Sequence, residues 1–153
     1  MSRLRYLLLG LVLFALCLPA QAIITGELMM LRSVKPFDEA MESLQRAIEK
    51  QGYSVTGVRR VDQGLAESGY KSDKYRIVFF EKTGEVDALT NSHPELLPYL
   101  PLKIVVFAEA GETLLVTSDP ETFNDLFSDP RLRDMFSRWH NDIVTIMQAV
   151  QNQ

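Results

Sequence analysis

Leu102-Lys103-Ile104-Val105-Val106-Phe107-Ala108-Glu109, then Ala110-Gly111, then Glu112-Thr113-Leu114-Leu115-Val116-Thr117-Ser118: this stretch decides the fold. Two apolar, β-branched runs flank a two-residue link containing glycine, which is the pattern of a β-hairpin. Upstream, Tyr75-Arg76-Ile77-Val78-Phe79-Phe80-Glu81 predicts a further strand of the same kind. Both faces of these strands are apolar: Ile77 and Phe79 oppose Val78 and Phe80, and Ile104 and Val106 oppose Val105 and Phe107. A strand with one wet face alternates apolar with polar, so each face of this sheet calls for a cover.

Working outward, Ile23–Val34 is apolar and β-branched enough for a first strand. From Phe37, the spacing of Ala40, Met41, Leu44, Ala47 and Ile48 predicts a helix with one buried stripe that ends at Gly52. Asp38 and Glu39 in its first turn suit the helix dipole better than they suit catalysis. Tyr53–Val61 reads as a second strand with a bulge at Gly57, and Asp62–Lys74 as a short helical turn and loop. The crossover from Lys82 to Pro101 holds three of the seven prolines, which forbids long regular structure. Asp119-Pro120 and Asp129-Pro130 each set a capping acid before a proline, predicting a short helix and then a long one. In the long helix Leu132, Met135, Phe136, Trp139, Ile143, Ile146, Met147 and Val150 share one face, with Arg138 expected on the opposite one.

The order strand, helix, four strands, helix predicts an α+β fold: a single antiparallel sheet with helices on one face, β-α-β4-α. Three things could cover the other face. They are the 82–101 crossover folding back through Leu89, Leu96, Leu97 and Tyr99, a second subunit, or a bound apolar ligand.

The run Leu100-Pro101-Leu102-Lys103-Ile104-Val105-Val106-Phe107, then Gly111, then Asp119-Pro120, preceded by the Phe37-Asp38-Glu39 helix ending at Gly52-Tyr53, resembles the bacterial and archaeal domain-of-unknown-function 302 family. The resemblance spans about Thr25 to Leu126. It implies a TATA-binding-protein-like β-α-β4-α architecture and no established activity. Where that family commonly shows Phe-Gly-Asn-Pro after the third strand, this chain has Phe80-Glu81-Lys82-Thr83.

Met1–Ala22 has the parts of a cleaved secretory signal peptide: Arg3 and Arg5, an apolar run Tyr6–Leu18, and Ala20-Gln21-Ala22. Those 13 apolar residues fall short of the roughly 20 a bilayer-spanning helix needs, so no stable membrane span is expected. Cys17 follows Leu16 rather than a small residue, which argues against lipidation, and the only cysteine would leave with the leader. Cleavage leaves residues 23–153 as one domain, expected in the periplasm or secreted. Losing Arg3 and Arg5 moves the formal charge from −4 to −6, which disfavours nucleic acid as a partner.

Few residues carry recognisable chemistry. His140 sits at the edge of the long helix's apolar stripe and is the one polar site singled out, although a boundary histidine with an ordinary hydrogen bond is the commoner outcome. His93 begins a turn, and neither histidine has a metal-ligand partner at short spacing. The mature chain has no thiol, no nucleophile elbow and no phosphate loop. The acids Glu81, Glu85, Asp87, Glu109 and Glu112 gather at strand ends, where solvated charge is the usual result. No catalytic residue, metal or cofactor is therefore assigned. The expected function is a non-enzymatic binding module holding a small, largely apolar ligand between sheet and helices. A protein that associates with itself or another subunit is the near-equal alternative, and in either case the ligand or partner is expected on one of two face sets: Val78, Phe80, Val105 and Phe107, or Ile77, Phe79, Ile104 and Val106. An enzyme assembled from distant loops stands third.

Overall fold

The computed structural model describes residues 23–25 and 27–152; the leader reading of Met1–Ala22 lies outside the described residues. In chain order the elements are β1 (Ile23–Thr25), β2 (Leu28–Ser33), α1 (Phe37–Lys50), β3 (Ser54–Arg60), α2 (Val61–Glu67), β4 (Tyr75–Glu81), α3 (Glu85–Ser92), a 3-10 segment Pro94–Tyr99, β5 (Leu102–Glu109), β6 (Glu112–Ser118), a second 3-10 segment Pro120–Asp125, and α4 (Pro130–Asn152). The strands form one antiparallel sheet in the order β1-β2-β6-β5-β4-β3. β2 to β6 are the expected β-α-β4-α set.

The strand expected over Ile23–Val34 is in fact two. Thr25 pairs with Leu28, so the chain folds back there, and β2 continues along β6. β2 alternates: Met29, Leu31 and Ser33 are buried, while Leu28 and Arg32 are exposed.

Two turns rest on left-handed backbone. Ala110 and Gly111 have φ of +51° and +87°, the pair of positive angles that a two-residue turn matched to strand twist demands. Gly52, at φ +81°, follows the C-cap Gln51 of α1. Its N–H donates to Glu49 and that of Tyr53 donates to Ile48, the paired bonds that close a helix C-terminus. This closure also fixes the direction in which Tyr53 leaves the helix.

α1 and α4 pack on each other and on one sheet face. Phe37, Leu44 and Ile48 of α1 and Leu132, Phe136, Trp139, Ile143, Ile146, Met147 and Val150 of α4 join Met29, Leu31, Val78, Phe80, Ile104, Val106 and Leu115 in a single buried cluster. The crossover belongs to this layer too, for Leu89 and Leu96 are buried in the same cluster. It therefore covers the helix side, not the other face.

The register corrects how the strand faces were combined. Val78 stands opposite Ile104 and Phe80 opposite Leu102, whereas Ile77 stands opposite Val105 and Tyr75 opposite Phe107. Val78, Phe80, Ile104 and Val106 thus share the core face, each 0% exposed. Ile77, Phe79, Val105 and Phe107 share the other. Both sets expected from the sequence mixed the two faces, because alternation fixes the phase within a strand but not between strands.

Candidate functional site

The outer sheet face is the first candidate. One row across it reads Met30, Val116, Val105, Ile77 and Arg59, and the next reads Arg32, Leu114, Phe107 and Tyr75. The rings of Tyr75 and Phe107 lie 4.4 Å apart across the strands. These apolar residues are half-buried by one another, yet none of them belongs to the buried cluster or packs against it. Charges of both signs rim the face: Arg32 pairs with Glu109 at 2.6 Å and Glu112 at 3.4 Å beside the hairpin turn, and Lys103 and Arg59 stand exposed elsewhere. Of the residues singled out as ligand or interface positions, Val105 and Phe107 lie here and Val78 and Phe80 lie in the core.

The second candidate is a cleft of about 580 Å³ at the end of the sheet where β2 and β5 begin and β6 ends. Ile143, Leu102, Thr117 and Phe123, all buried, make its floor; Leu28, Tyr99 and Leu126, all exposed, stand at its mouth together with Glu27, Lys103 and Asp125. Thr117 and Thr122 turn their hydroxyl protons away to the backbone carbonyls of Lys103 and Asp119, at 2.6 Å each.

A polar network around the middle of α4 was missed from sequence. Asp142 accepts hydrogen bonds from Tyr53 Oη and Gln51 Nε2, both at 2.7 Å, and from Lys82 Nζ at 3.2 Å. The Lys82 ammonium also lies 4.6 Å from the centre of the Tyr53 ring. Glu85 accepts from Trp139 Nε1 at 3.0 Å and pairs with Arg138. Arg138 is thereby engaged rather than solvated on an opposite face. Burial, and then the Asp142 carboxylate, push the Tyr53 phenol far above its ordinary range, so it stays protonated as a donor. Burial by itself would raise Asp142, but the bonds from Tyr53, Gln51 and Lys82 outweigh it and hold the carboxyl below its ordinary value. Every member is satisfied by another, and the network ties α1, β4, α3 and α4 together. It acts as a clamp. One signal was legible: Asp142 falls three residues after Trp139 and four before Ile146, an acid on the buried stripe.

The other singled-out residues have ordinary partners. His140 Nδ1 lies 2.8 Å from Asp119 Oδ1, and the same oxygen caps the second 3-10 segment through the Glu121 N–H at 2.9 Å. His93 lies 3.2 Å from Glu95. Among the strand-end acids, Glu109 and Glu112 stand directly opposite in register, and Arg32 pairs with both. Among the described residues no group of three or more His, Cys, Asp or Glu is placed to hold a metal ion. Nor is any described helix long and apolar enough to cross a membrane.

An open antiparallel sheet with a helix layer on one face defines a two-layer α+β protein whose outer sheet face is its most distinctive surface. The chain belongs to the family described as Domain of unknown function DUF302, whose family model matches residues 29–150. The match runs past Leu126 and so takes in α4. Among solved structures, an uncharacterized conserved DUF302 protein from Bacillus stearothermophilus is similar, with a TM-score of 0.74 and 20% identity over 82% of this chain and 99% of that one. At that identity the likeness shows the fold. No curated protein matches the chain significantly. Glu81-Lys82-Thr83, where the resemblance led us to expect Phe-Gly-Asn-Pro, is here the source of the Lys82 arm of the clamp.

Proposed function

We propose that this protein is an exported, non-enzymatic association module in which the outer sheet face pairs with the same face of a second copy. One observation carries the reading. The apolar residues of that face belong neither to the buried core cluster nor to the side chains packed against it among the described residues, although their composition is that of a covered surface. Four strands about 4.8 Å apart and six residues deep give a sheet face of roughly 400 Å², on which the apolar side chains lie side by side, and the largest apolar patch of a monomer, about 300–600 Å², is often functional. A stable interface buries about 800 Å² per partner, so the rim must contribute as much again. A rim of mixed sign can meet its own copy across a two-fold axis without like charges being forced together, which suits self-pairing. Export is supported by the leader-like Met1–Ala22.

The space between sheet and helices, where a ligand was expected, is filled by side chains that are almost wholly unexposed. A ligand reading therefore moves to the end cleft. Native mass spectrometry of the protein from its own host tests the proposal. We expect a chain beginning at Ile23, a complex of twice that mass, and a single-chain mass for Val105→Asp, whose side chain lies outside the core. A wild-type protein that stays single-chain at all concentrations would overturn the pairing.

A further inference from the structure

The end cleft is independent of the outer face's centre and has the make-up of a small-molecule site. Its volume of about 580 Å³ lies within the range typical of ligand pockets. Seven large apolar side chains of the described residues are exposed, and three of them, Leu28, Tyr99 and Leu126, stand together at this one mouth. Scattered apolar exposure is ordinary, but concentration on a concave site is not. Between these side chains sit two carboxylates and one ammonium, Glu27, Asp125 and Lys103, which make no ion pair or side-chain hydrogen bond among the described residues.

A ligand that satisfies this lining needs an apolar body, a cationic group for the carboxylates and an anionic group for Lys103. A plain hydrocarbon would leave all three charges to be partly desolvated without a partner, which is costly. A simple anion would meet two carboxylates for one ammonium. We infer that the cleft binds a small amphipathic zwitterion, of the class of an apolar amino acid or short apolar peptide with free termini. Its side chains lie against Leu28, Tyr99 and Leu126, its ammonium lies toward Glu27 and Asp125, and its carboxylate toward Lys103.

The probe is the dipeptide Leu-Phe, titrated into the purified protein and followed by backbone amide NMR shifts, beside the same dipeptide with both termini blocked. The expected result is saturable shifts confined to residues around the cleft, with the blocked form at least about fivefold weaker because two solvent-exposed ion pairs are lost. Lys103→Gln is expected to weaken the free dipeptide about two- to fivefold, and Leu126→Glu about tenfold. Both residues are exposed, so neither change should move the unfolding temperature. Val34→Glu, just past the far end of β2, should leave binding unaltered. Absence of saturable shifts, shifts centred away from the cleft, or equal affinity for the blocked and free dipeptides would each overturn the assignment.

Discussion

Ala110 holds a left-handed conformation at φ +51° without being glycine, asparagine or aspartate. For an L-residue with a Cβ that conformation costs roughly 1–2 kcal/mol. The β5–β6 register is set by the two-residue turn, so the strain persists because ladder pairs on both sides demand it. Ala110→Asn is expected to raise stability by about 0.5–1 kcal/mol, since asparagine tolerates the same angles more readily. Urea unfolding at neutral pH checks it, and an unchanged or lower midpoint would mean that the turn adapts around alanine. Buried polar residues show the same economy. Thr113 Oγ1 donates to the Lys35 carbonyl at 2.9 Å, which lets a hydroxyl sit at 0% exposure in the core.

At the scale of the element, α4 does most to unite the fold, since one stripe covers the sheet and packs on α1 while its shoulder reaches the polar clamp. Trp139 is 1% exposed, with its indole N–H bound to Glu85. Trp139→Ala is expected to cost about 3–5 kcal/mol by leaving a large cavity. Arg138→Ala is expected to cost about 1 kcal/mol rather than nothing, because it strips an ion pair from a half-buried Glu85. Comparing the two denaturation midpoints checks both figures, and equal losses would contradict the burial of the stripe. The periodicity of α1 and α4 made both helices legible, and Ala110-Gly111 made the hairpin legible. The phase between β4 and β5 was not, because both faces are apolar and nothing in either strand marks which side the helices take. The clamp and the cleft were hidden for a related reason: Tyr53, Lys82 and Asp142, or Leu28, Tyr99 and Leu126, are neighbours only after the sheet and helix layer have formed.

For the molecule as a whole, the clamp places a pH-dependent joint between helix layer and sheet. Asp142 is held below its ordinary value, as are Asp62 through its pair with Arg76 and Asp129, lowered to about 2 by the side chain and then the backbone N–H of Arg131. For each, the unfolded chain binds the proton more readily, so the stabilisation is fully present above about pH 4 and is lost as pH falls through the folded values. Tyr53 works in the opposite direction. Its folded pKa is raised, so its contribution is fully present below about pH 10 and is lost as the unfolded phenol ionises above that. Stability is thus expected to be level between these limits and to fall on both sides. Tyr53→Phe separates the causes: it should cost about 2 kcal/mol at neutral pH through the lost bond to Asp142 and make the alkaline fall shallower. It also leaves Asp142 with Gln51, Lys82 and the Arg138 guanidinium at 3.8 Å, which brings its folded pKa nearer the unfolded one and makes the acid fall smaller. Urea midpoints measured from acid to alkaline pH for the two proteins decide it. Parallel curves would show that Tyr53 packs at this junction without coupling its proton to the fold.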